Sequence, residues 1–473
     1  MLNWRGKPLL ACVFTVSLMG LGACVSYDAK KQLAAASLET AAFTGDKLEL
    51  ATSPVQRQQR ESLTQRLLSS PLGQKQAVDV MLVNSPALQS LLAQHAAQSA
   101  AVAQSGRISN PTLAIERIVS GNELEWSGLL SFGLLDVLTL PQRADLAKRK
   151  LVQNQLRLST DVVDQVTLVR QAWVRAVAAN ASLTLAQRVL EAAQASDVLA
   201  ARMMAAGNFN TLTRSRHQLF HAQAQTQWAV AKQAQVSRNE ALVRLLGLDA
   251  SQAAQLQLPD RLPDLPALAL SAQDLALTAG RQRWDIQMAK AELEMAARAQ
   301  GLTDITSWLD VELTVISGKV TGNDTVTQRR GAEIGVKLPV FDSGDMQRAQ
   351  MNALTLSAAN RLQATARDAA SSVRENYAAY LAAYDIARQY RDDVLPLQQR
   401  IADENILRYN AMQISVFDLL ADAASHNAAV MSAIEAEQQF WLSEAALQAT
   451  LVGRPLAISL SADTRNNSNS AAH

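Results

Sequence analysis

Between Ser307 and Phe341 the chain alternates. Leu309, Val311, Leu313 and Val315 share one parity, and Asp310, Glu312 and Thr314 share the other. A period of two predicts a strand with one apolar and one polar face. Past Gly318 and the turn signal Gly322-Asn323-Asp324 the pattern resumes. Ile334, Val336, Leu338 and Val340 alternate with Glu333, Gly335 and Lys337. Two alternating arms around a polar turn predict a hairpin. A weaker counterpart lies earlier. Asn110-Pro111 breaks a helical pattern, Thr112-Leu113-Ala114-Ile115-Glu116 alternates, and Gly121-Asn122 signals a turn. The returning arm is expected between Trp126 and Leu135.

Nearly all the rest reads as Ala-, Leu- and Gln-rich helix. Residues 75–105 have a helical pattern, with Pro86 after Asn84-Ser85 as a kink or a helix start. From Pro141 to Ala205 one helical run covers roughly 65 residues, close to 100 Å at about 1.5 Å per residue. Such a length suggests a coiled-coil or tubular assembly and not a compact globule. Gly207-Asn208-Phe209-Asn210 interrupts it. The next helix runs from Thr211 to Leu246 and meets Gly247, a residue suited to a helix C-terminus. Pro259, Pro263 and Pro266 mark a linker over 251–270.

After the linker the order repeats. Arg283-Trp284-Asp285-Ile286-Gln287 precedes the second hairpin as Asn84-Ser85-Pro86-Ala87-Leu88-Gln89 precedes the first. Val373-Arg374 matches Val169-Arg170, and Tyr377 matches Trp173, at one common spacing; Thr211-Leu212 falls on Ser415-Val416 at that same spacing. Leu451-Val452-Gly453 closes the second half as Leu245-Leu246-Gly247 closes the first. Each half is helix, hairpin, very long helix, sharp turn, helix. The expected organisation is a leader over 1–23, an extended arm over 24–73, a first repeat over 74–250, the linker, a second repeat over 271–455 and a disordered tail over 456–473.

Composition narrows the class. The 473 residues carry 44 basic and 43 acidic side chains, a net charge of +1, and no basic stripe, so nothing points to nucleic acid. Arg5 and Lys7 precede an apolar run from Leu9 to Met19, followed by Leu21-Gly22-Ala23-Cys24. This is an export signal. The tetrad resembles a bacterial lipobox, whose Cys becomes lipid-modified; the alternative is an ordinary signal peptide with a chance Cys. Removal of the signal takes Cys12 with it, so no disulfide and no Cys-based metal site is expected. Beyond the signal no apolar run reaches the length of a transmembrane helix. Transmembrane β-strands need only about 9–11 residues and leave a weaker trace.

The combined pattern resembles the TolC-type outer-membrane efflux proteins, in the lipid-anchored branch, over residues 75–455. The resemblance is carried by Asn110-Pro111, by Leu338-Pro339-Val340-Phe341-Asp342-Ser343-Gly344, and by Arg408-Tyr409-Asn410-Ala411-Met412-Gln413-Ile414-Ser415-Val416-Phe417-Asp418-Leu419-Leu420. It implies a mostly α fold with a small β part. Long antiparallel helices form a periplasmic α-barrel, and each chain gives four strands to a shared twelve-stranded β-barrel of a homotrimer. Open strand edges are not tolerated in lipid, so four strands need an oligomer to close them. The resemblance further implies a passive exit duct in a Gram-negative outer membrane. Its partners are a periplasmic membrane-fusion adaptor and an inner-membrane pump, in a tripartite efflux or type I-like secretion system. The sequence departs from the usual pattern at Met203-Met204-Ala205-Ala206-Gly207, and at Ala411, where Gly is common.

Several residues become candidates. Cys24 is the lipid attachment. Asp310 and Glu312, on the polar parity, line the lumen of a barrel or, in a soluble sheet, simply face solvent. Asp418 and Asp422, four apart past the second turn, form a periplasmic gate or, alternatively, begin a solvated helix. Gly207, Asn208, Tyr409, Asn410 and Ala411 form the tip where an adaptor docks. Trp126 and Trp308 suit a membrane interface or a strand–helix junction. His217 and His221 are four apart on one helix and could share a metal, but no third ligand is evident beside them, and two surface polar residues explain them as well. No catalytic motif, phosphate loop or cofactor signature is present, so no enzyme and no cofactor is expected. The competing function is a periplasmic helical adaptor or structural lipoprotein. Adaptors carry compact β-domains and one helical hairpin, whereas two equivalent halves favour the duct.

Overall fold

The computed structural model describes residues 28–45, 47–121, 123–271, 283–307, 310–322, 325–337 and 340–454. Cys24, the leader, Trp308 and the expected tail lie outside them. The chain forms two compact units. The described residues of Met1–Ala35, Ala93–Leu158 and Ile286–Arg367 make the first; those of Ala36–Leu92, Ser159–Asp285 and Asp368–His473 make the second. Each unit therefore draws on both sequence repeats.

The elements in chain order are α1 (Ala29–Thr44), α2 (Pro54–Leu68), α3 (Gln74–Asn84), α4 (Pro86–Ser105), β1 (Thr112–Ser120), β2 (Glu123–Gly133), α5 (Leu134–Leu138), α6 (Leu140–Ala205), α7 (Thr211–Leu246) and α8 (Ala250–Ala253). Then come α9 (Trp284–Thr306), β3 (Asp310–Gly322), β4 (Thr325–Lys337), α10 (Asp345–Gln389), a π turn (Tyr390–Val394), α11 (Leu395–Asn410) and α12 (Val416–Leu451). The mostly helical fold with one small sheet matches the expectation. Pro86 starts a helix, since it follows the break at Ser85 and occupies a position where no N–H is needed.

The first unit holds the sheet. Its strand order is β1-β2-β3-β4, all antiparallel. The two hairpins are joined by the β2–β3 pairing, and β1 and β4 are left as edges. The strands of the second hairpin are longer than their alternation predicts, 13 residues each. Registers run without a bulge, so each side chain's face follows from its number. Beside the sheet, Ala103 of α4 packs against Ala144 and Ala147 of α6, small side chains that allow close helix approach. Gly344 turns the chain into α10 with φ +73°, where a Cβ would lie 2.5 Å from that of Ser307.

The second unit is built around aromatic residues of α10 and α12. Tyr380 and Tyr384 each pack against Phe440, with ring centroids 5.5 and 5.8 Å apart. The linker is pinned here. The Tyr384 hydroxyl donates to the carbonyls of Pro266 and Ala267, Tyr377 donates to Leu270 O, and Trp441 Nε1 donates to Pro263 O. In the first repeat Trp173 Nε1 donates to Leu72 O at 2.6 Å, ahead of α3. Trp173 and Tyr377 thus do one job, each holding the segment that leads into its own repeat.

The two repeats close alike. Gly247 ends α7 at φ +69°, and an added Cβ would meet Pro86 Cδ at 2.4 Å and Ser85 Cα at 2.8 Å. Gly453 follows α12 at φ +92°, and its Cβ would meet the Asp285 backbone N at 2.9 Å. Both positions therefore require glycine for handedness and for close approach.

One expectation is corrected. The arm over 24–73 is not extended: it carries α1 and α2. In α1 the buried positions Ala36, Ser37, Thr40, Phe43 and Thr44 fall at helical spacing. Three of the five are Ser or Thr, which hides the stripe from a count of apolar residues. Ser53 caps α2 in a box with Gln56, and Pro54 occupies the first turn. The 251–270 linker likewise begins with the short helix α8.

Candidate functional site

Two places hold the candidate residues: the sheet, and the turns where the long helices reverse. On the sheet the registers define two faces. One carries Leu113, Leu130, Phe132, Leu313, Ile334 and Val336, among other apolar residues. Leu113 and Ile334 are each 65% exposed. The other carries Asp310 and Glu312, both exposed. All the acids of the four strands lie on that second face: Glu116, Glu123, Glu125, Asp310, Glu312 and Glu333. Its polar groups interlock across strands. Arg329 pairs with Glu125 at 3.0 Å, and Ser131 Oγ lies 3.2 Å from Thr314 Oγ1. Lys337 stands opposite Asp310 in the register.

At the centre of the β2–β3 pairing the sheet is crowded toward the polar face. Ser127 and Gly318 are direct partners there, and a Cβ on Gly318 would come within 3.1 Å of Ser127 Cβ. Directly paired Cβ atoms normally stand about 4.5–5.5 Å apart. On the apolar face, a Cβ on Gly128 would find nothing nearer than Ser317 O at 3.7 Å. Crowding on one face and room on the other describe a bend. The bend is local to this pair, since on the same polar face Gly331 has nothing within 4 Å of an added Cβ and Gly335 nothing nearer than 3.8 Å, and its sense there is acidic face inward. That is the curvature a barrel with a wet interior requires. Asp310 and Glu312 share the face that is crowded at that centre. Trp126 sits on the opposite, apolar side and is 49% exposed.

The two turns share a backbone pattern. At the first, Gly207 N–H donates to Met204 O and Asn208 N–H to Met203 O, with Gly207 at φ +76°. At the second, Met412 N–H donates to Tyr409 O and Gln413 N–H to Arg408 O, with Met412 at φ +60°. This bonding closes a helix through one left-handed residue. The left-handed position of the second turn is therefore Met412. Ala411, expected to stand where Gly is common, has φ −81° and needs no glycine. The expected alignment is displaced by one residue at the turn.

The source of the displacement lies upstream. Leu395 N–H donates to Tyr390 O, five residues back, so the chain makes a π turn at Tyr390–Val394. Pro396 follows. It has no N–H to offer, and its ring in a regular α-helix would collide with the carbonyl four residues back. A π turn holds one residue more per turn. Its counterpart α6 is α-helical throughout.

The candidate gate residues have local partners. Ser415 caps α12. Its hydroxyl and its backbone N–H both donate to Asp418 Oδ2, at 2.7 and 3.0 Å, while Asp418 N–H donates to Ser415 Oγ. The Ser415 hydroxyl, then its backbone N–H, hold the Asp418 carboxyl below the usual carboxylate range. Asp422, one turn on, accepts a hydrogen bond from Asn405 Nδ2, which ties α12 to α11. At the first turn the neutral Asn210 does the capping, accepting from Thr213 N–H at 2.9 Å. Gly207, Asn208, Tyr409, Asn410 and Ala411 are all exposed, and Met412 is 94% exposed.

His217 and His221 face different neighbours. The His217 ring is buried, stacks on Phe209 and hydrogen-bonds Ser196 Oγ at 2.7 Å through Nδ1. Burial pushes its pKa down, against the pull of Asp197. His221 Nδ1 lies 3.9 Å from Asp197, which pairs with Arg214. No group of three or more metal-ligating side chains exists among the described residues. No described helix is long and apolar enough to cross a membrane.

No protein-family model matches the chain, and no curated protein matches it. Solved structures do. The outer membrane protein VceC of Vibrio cholerae superimposes with a TM-score of 0.66 at 15% identity, over 84% of this chain and 98% of that one. The CmeC outer membrane channel of Campylobacter jejuni gives 0.64 at 14% identity, over 83% and 85%. A membrane protein from Pseudomonas aeruginosa gives 0.66 at 19% identity, over 82% and 93%. The chain has the fold of these outer-membrane channels. At such identities the likeness concerns backbone and topology. What sequence reasoning missed is the αL residue Met412, displaced by a π turn whose only local signal is Pro396, and the basic residues Arg117, Lys319 and Arg330, which the registers put on the otherwise apolar face. Their signal was present, since Ser317 and Lys319 interrupt the apolar parity of β3.

Proposed function

We propose that the chain is the outer-membrane channel of a tripartite efflux system, or of a related secretion system, and acts as a passive exit duct. The observation that carries this reading is the sheet. It is acidic on one face and mostly apolar on the other, bends toward the acidic face at the centre of β2–β3, and leaves β1 and β4 as edges. Such a sheet is stable in lipid only when its edges are closed by other copies. Three chains supply twelve strands, and Asp310 and Glu312 then line a wet lumen. Substrates come from an inner-membrane pump through a periplasmic adaptor. The adaptor docks on the turns near Gly207, Asn208, Tyr409, Asn410 and Ala411, beside the exposed Met412. Cys24 carries a lipid that anchors the mature N-terminus. The duct needs no chemistry of its own.

In a trimer Asp418 and Asp422 become rings of like charge, which attract cations and repel anions. The deciding experiment combines gel migration with planar-bilayer recording. The purified chain should run as a heat-sensitive trimer and conduct ions. Asp418→Ala should weaken block by divalent cations. If both Asp418→Ala and Asp422→Ala leave block and selectivity unchanged, the gate lies elsewhere and the two acids serve only the helix start. A monomer without conductance overturns the duct itself. Single cysteines sharpen the orientation: Cys at Asp310 or Glu312 should react with a membrane-impermeant thiol reagent, and Cys at Val311 or Leu313 should not.

A further inference from the structure

The face opposite the acids is not uniformly apolar. Toward the turn ends of the strands one row across all four reads Arg117, Trp126, Lys319, Gln328. The adjoining row reads Ile115, Gly128, Ser317, Arg330. Arg117, Lys319 and Arg330 are all exposed. The Arg117 guanidinium lies 5.9 Å from the Trp126 ring centroid, within reach of a cation–π contact. Arg330 Nη2 donates to Gln328 Oε1 at 3.3 Å, which steadies its head. Between them Gly128 leaves a hollow of about 380 Å³, lined by Ile115, Trp126, Ser317, Lys319, Gln328 and Arg330.

All the strand acids lie on the opposite face, so among the described residues nothing on this one offsets the three positive charges. The cations are also not at the margin of the apolar surface. Val119 and Val326, both more than half exposed, lie beyond them toward the turns. A cation set among exposed apolar side chains needs an anion from outside the chain. Guanidinium groups match phosphate oxygens in pairs, and Lys adds a point charge.

We propose that Arg117, Lys319 and Arg330, grouped around Trp126 on this face, bind the phosphate groups of a phosphorylated lipid head group in the outer leaflet. The proposal rests on the membrane reading above, because the lipid reaches this face only if the sheet is inserted with its turn ends outward. The next row toward the helices, Leu113, Leu130, Val315 and Ala332, receives the upper part of the acyl chains, the hollow over Gly128 beside Trp126 receives the head group, and the three cations hold its phosphates.

The test uses the full-length protein in detergent micelles and fluorescently labelled bis-phosphorylated lipid A, with its dephosphorylated form as control. The parent should bind the phosphorylated form far more tightly. Replacing all three cations (Arg117→Gln, Lys319→Gln, Arg330→Gln) should weaken binding by on the order of 100-fold, at roughly fivefold per cation near an anionic lipid surface. Arg329→Gln, on the opposite face, should leave it unchanged. Gly128→Leu, which fills the hollow and keeps every charge, should weaken it too. Trimer migration on gels reports that each variant folds. The site is overturned if the triple variant binds within about twofold of the parent, if Arg329→Gln matches its loss, or if inorganic phosphate at equal concentration displaces the lipid. Flotation with vesicles separates the two levels: a protein that floats with no vesicle of any charge overturns the membrane reading, and the lipid site with it.

Discussion

The two turns at which the long helices reverse have the same hydrogen-bond pattern and different chemistry. The first places Gly207 in the left-handed position and caps the next helix with neutral Asn210. The second places Met412 there and caps with Ser415 and an ionised Asp418. A left-handed conformation is accessible to Gly at little steric cost but costs other residues about 1–2 kcal/mol. The second turn therefore holds backbone strain and a titratable cap, and the first holds neither. One backbone design has been realised by a relaxed sequence and by a strained one. The strained one is the easier to shift.

The largest test exchanges the left-handed residues. Gly207→Val should destabilise the first turn by about 2 kcal/mol, since a β-branched residue is the worst fit for positive φ. Met412→Gly should stabilise the second by up to about 1 kcal/mol, the relief of strain being partly offset by Gly flexibility. Hydrogen exchange of the turn amides, followed by mass spectrometry, reads both. Equal and opposite silence at the two sites would remove strain as the distinction.

Next are the caps. Ser415→Ala and Asn210→Ala should each cost about 1 kcal/mol at neutral pH. They part company in acid. The Asp418 pKa is depressed in the fold, so its contribution is full above the unfolded value near 4 and is lost as pH falls through the lower folded value. Protection of the second turn should thus drop in that acid range in the parent, and protection of the first should not. The smallest effect is expected from Asn210→Asp, which should import a weak acid sensitivity into the first turn. An unchanged pH profile in that variant would show that an acid at the cap position alone does not confer it.

Much of this was legible in the sequence where a single periodicity was in force. Leu309 to Val315 and Ile334 to Val340 announced a strand hairpin because one face is apolar throughout those arms. The far half of β3 did not, because the polar Ser317 and Lys319 occupy the apolar parity there while Ile316 and Val320 take the other. Helix ends were readable at Pro86, Gly207 and Gly247, residues with a backbone reason to be there. Helix α1 was not, since Thr40 and Thr44 share its buried side. Of the candidate sites, Asp310 and Glu312 share the face opposite Val311 and Leu313, as their parity requires. The spacing Ser415-x-x-Asp418 is a capping box, and it accounts for Asp418 at the helix start by geometry and not by charge alone. Ala411 missed the glycine-like position by one because hydrogen-bond phase is set along the whole helix, and no window around the turn contains the cause.

That cause is the π turn at Tyr390–Val394, and it separates two registers that one continuous α-helix would lock together. Before it, Tyr377, Tyr380 and Tyr384 must face the linker and α12. After it, Asn405 must meet Asp422, and Met412 must arrive at the reversal. An extra residue in an unbroken helix rotates everything downstream by about 100°. Absorbed in a wide turn, it leaves each stretch in its own phase. The helix behaves as two shafts joined by a coupling, so substitutions can retune the turn end without disturbing the tyrosine clamp. Deleting a single residue from the coupling would force one end to give up its partners.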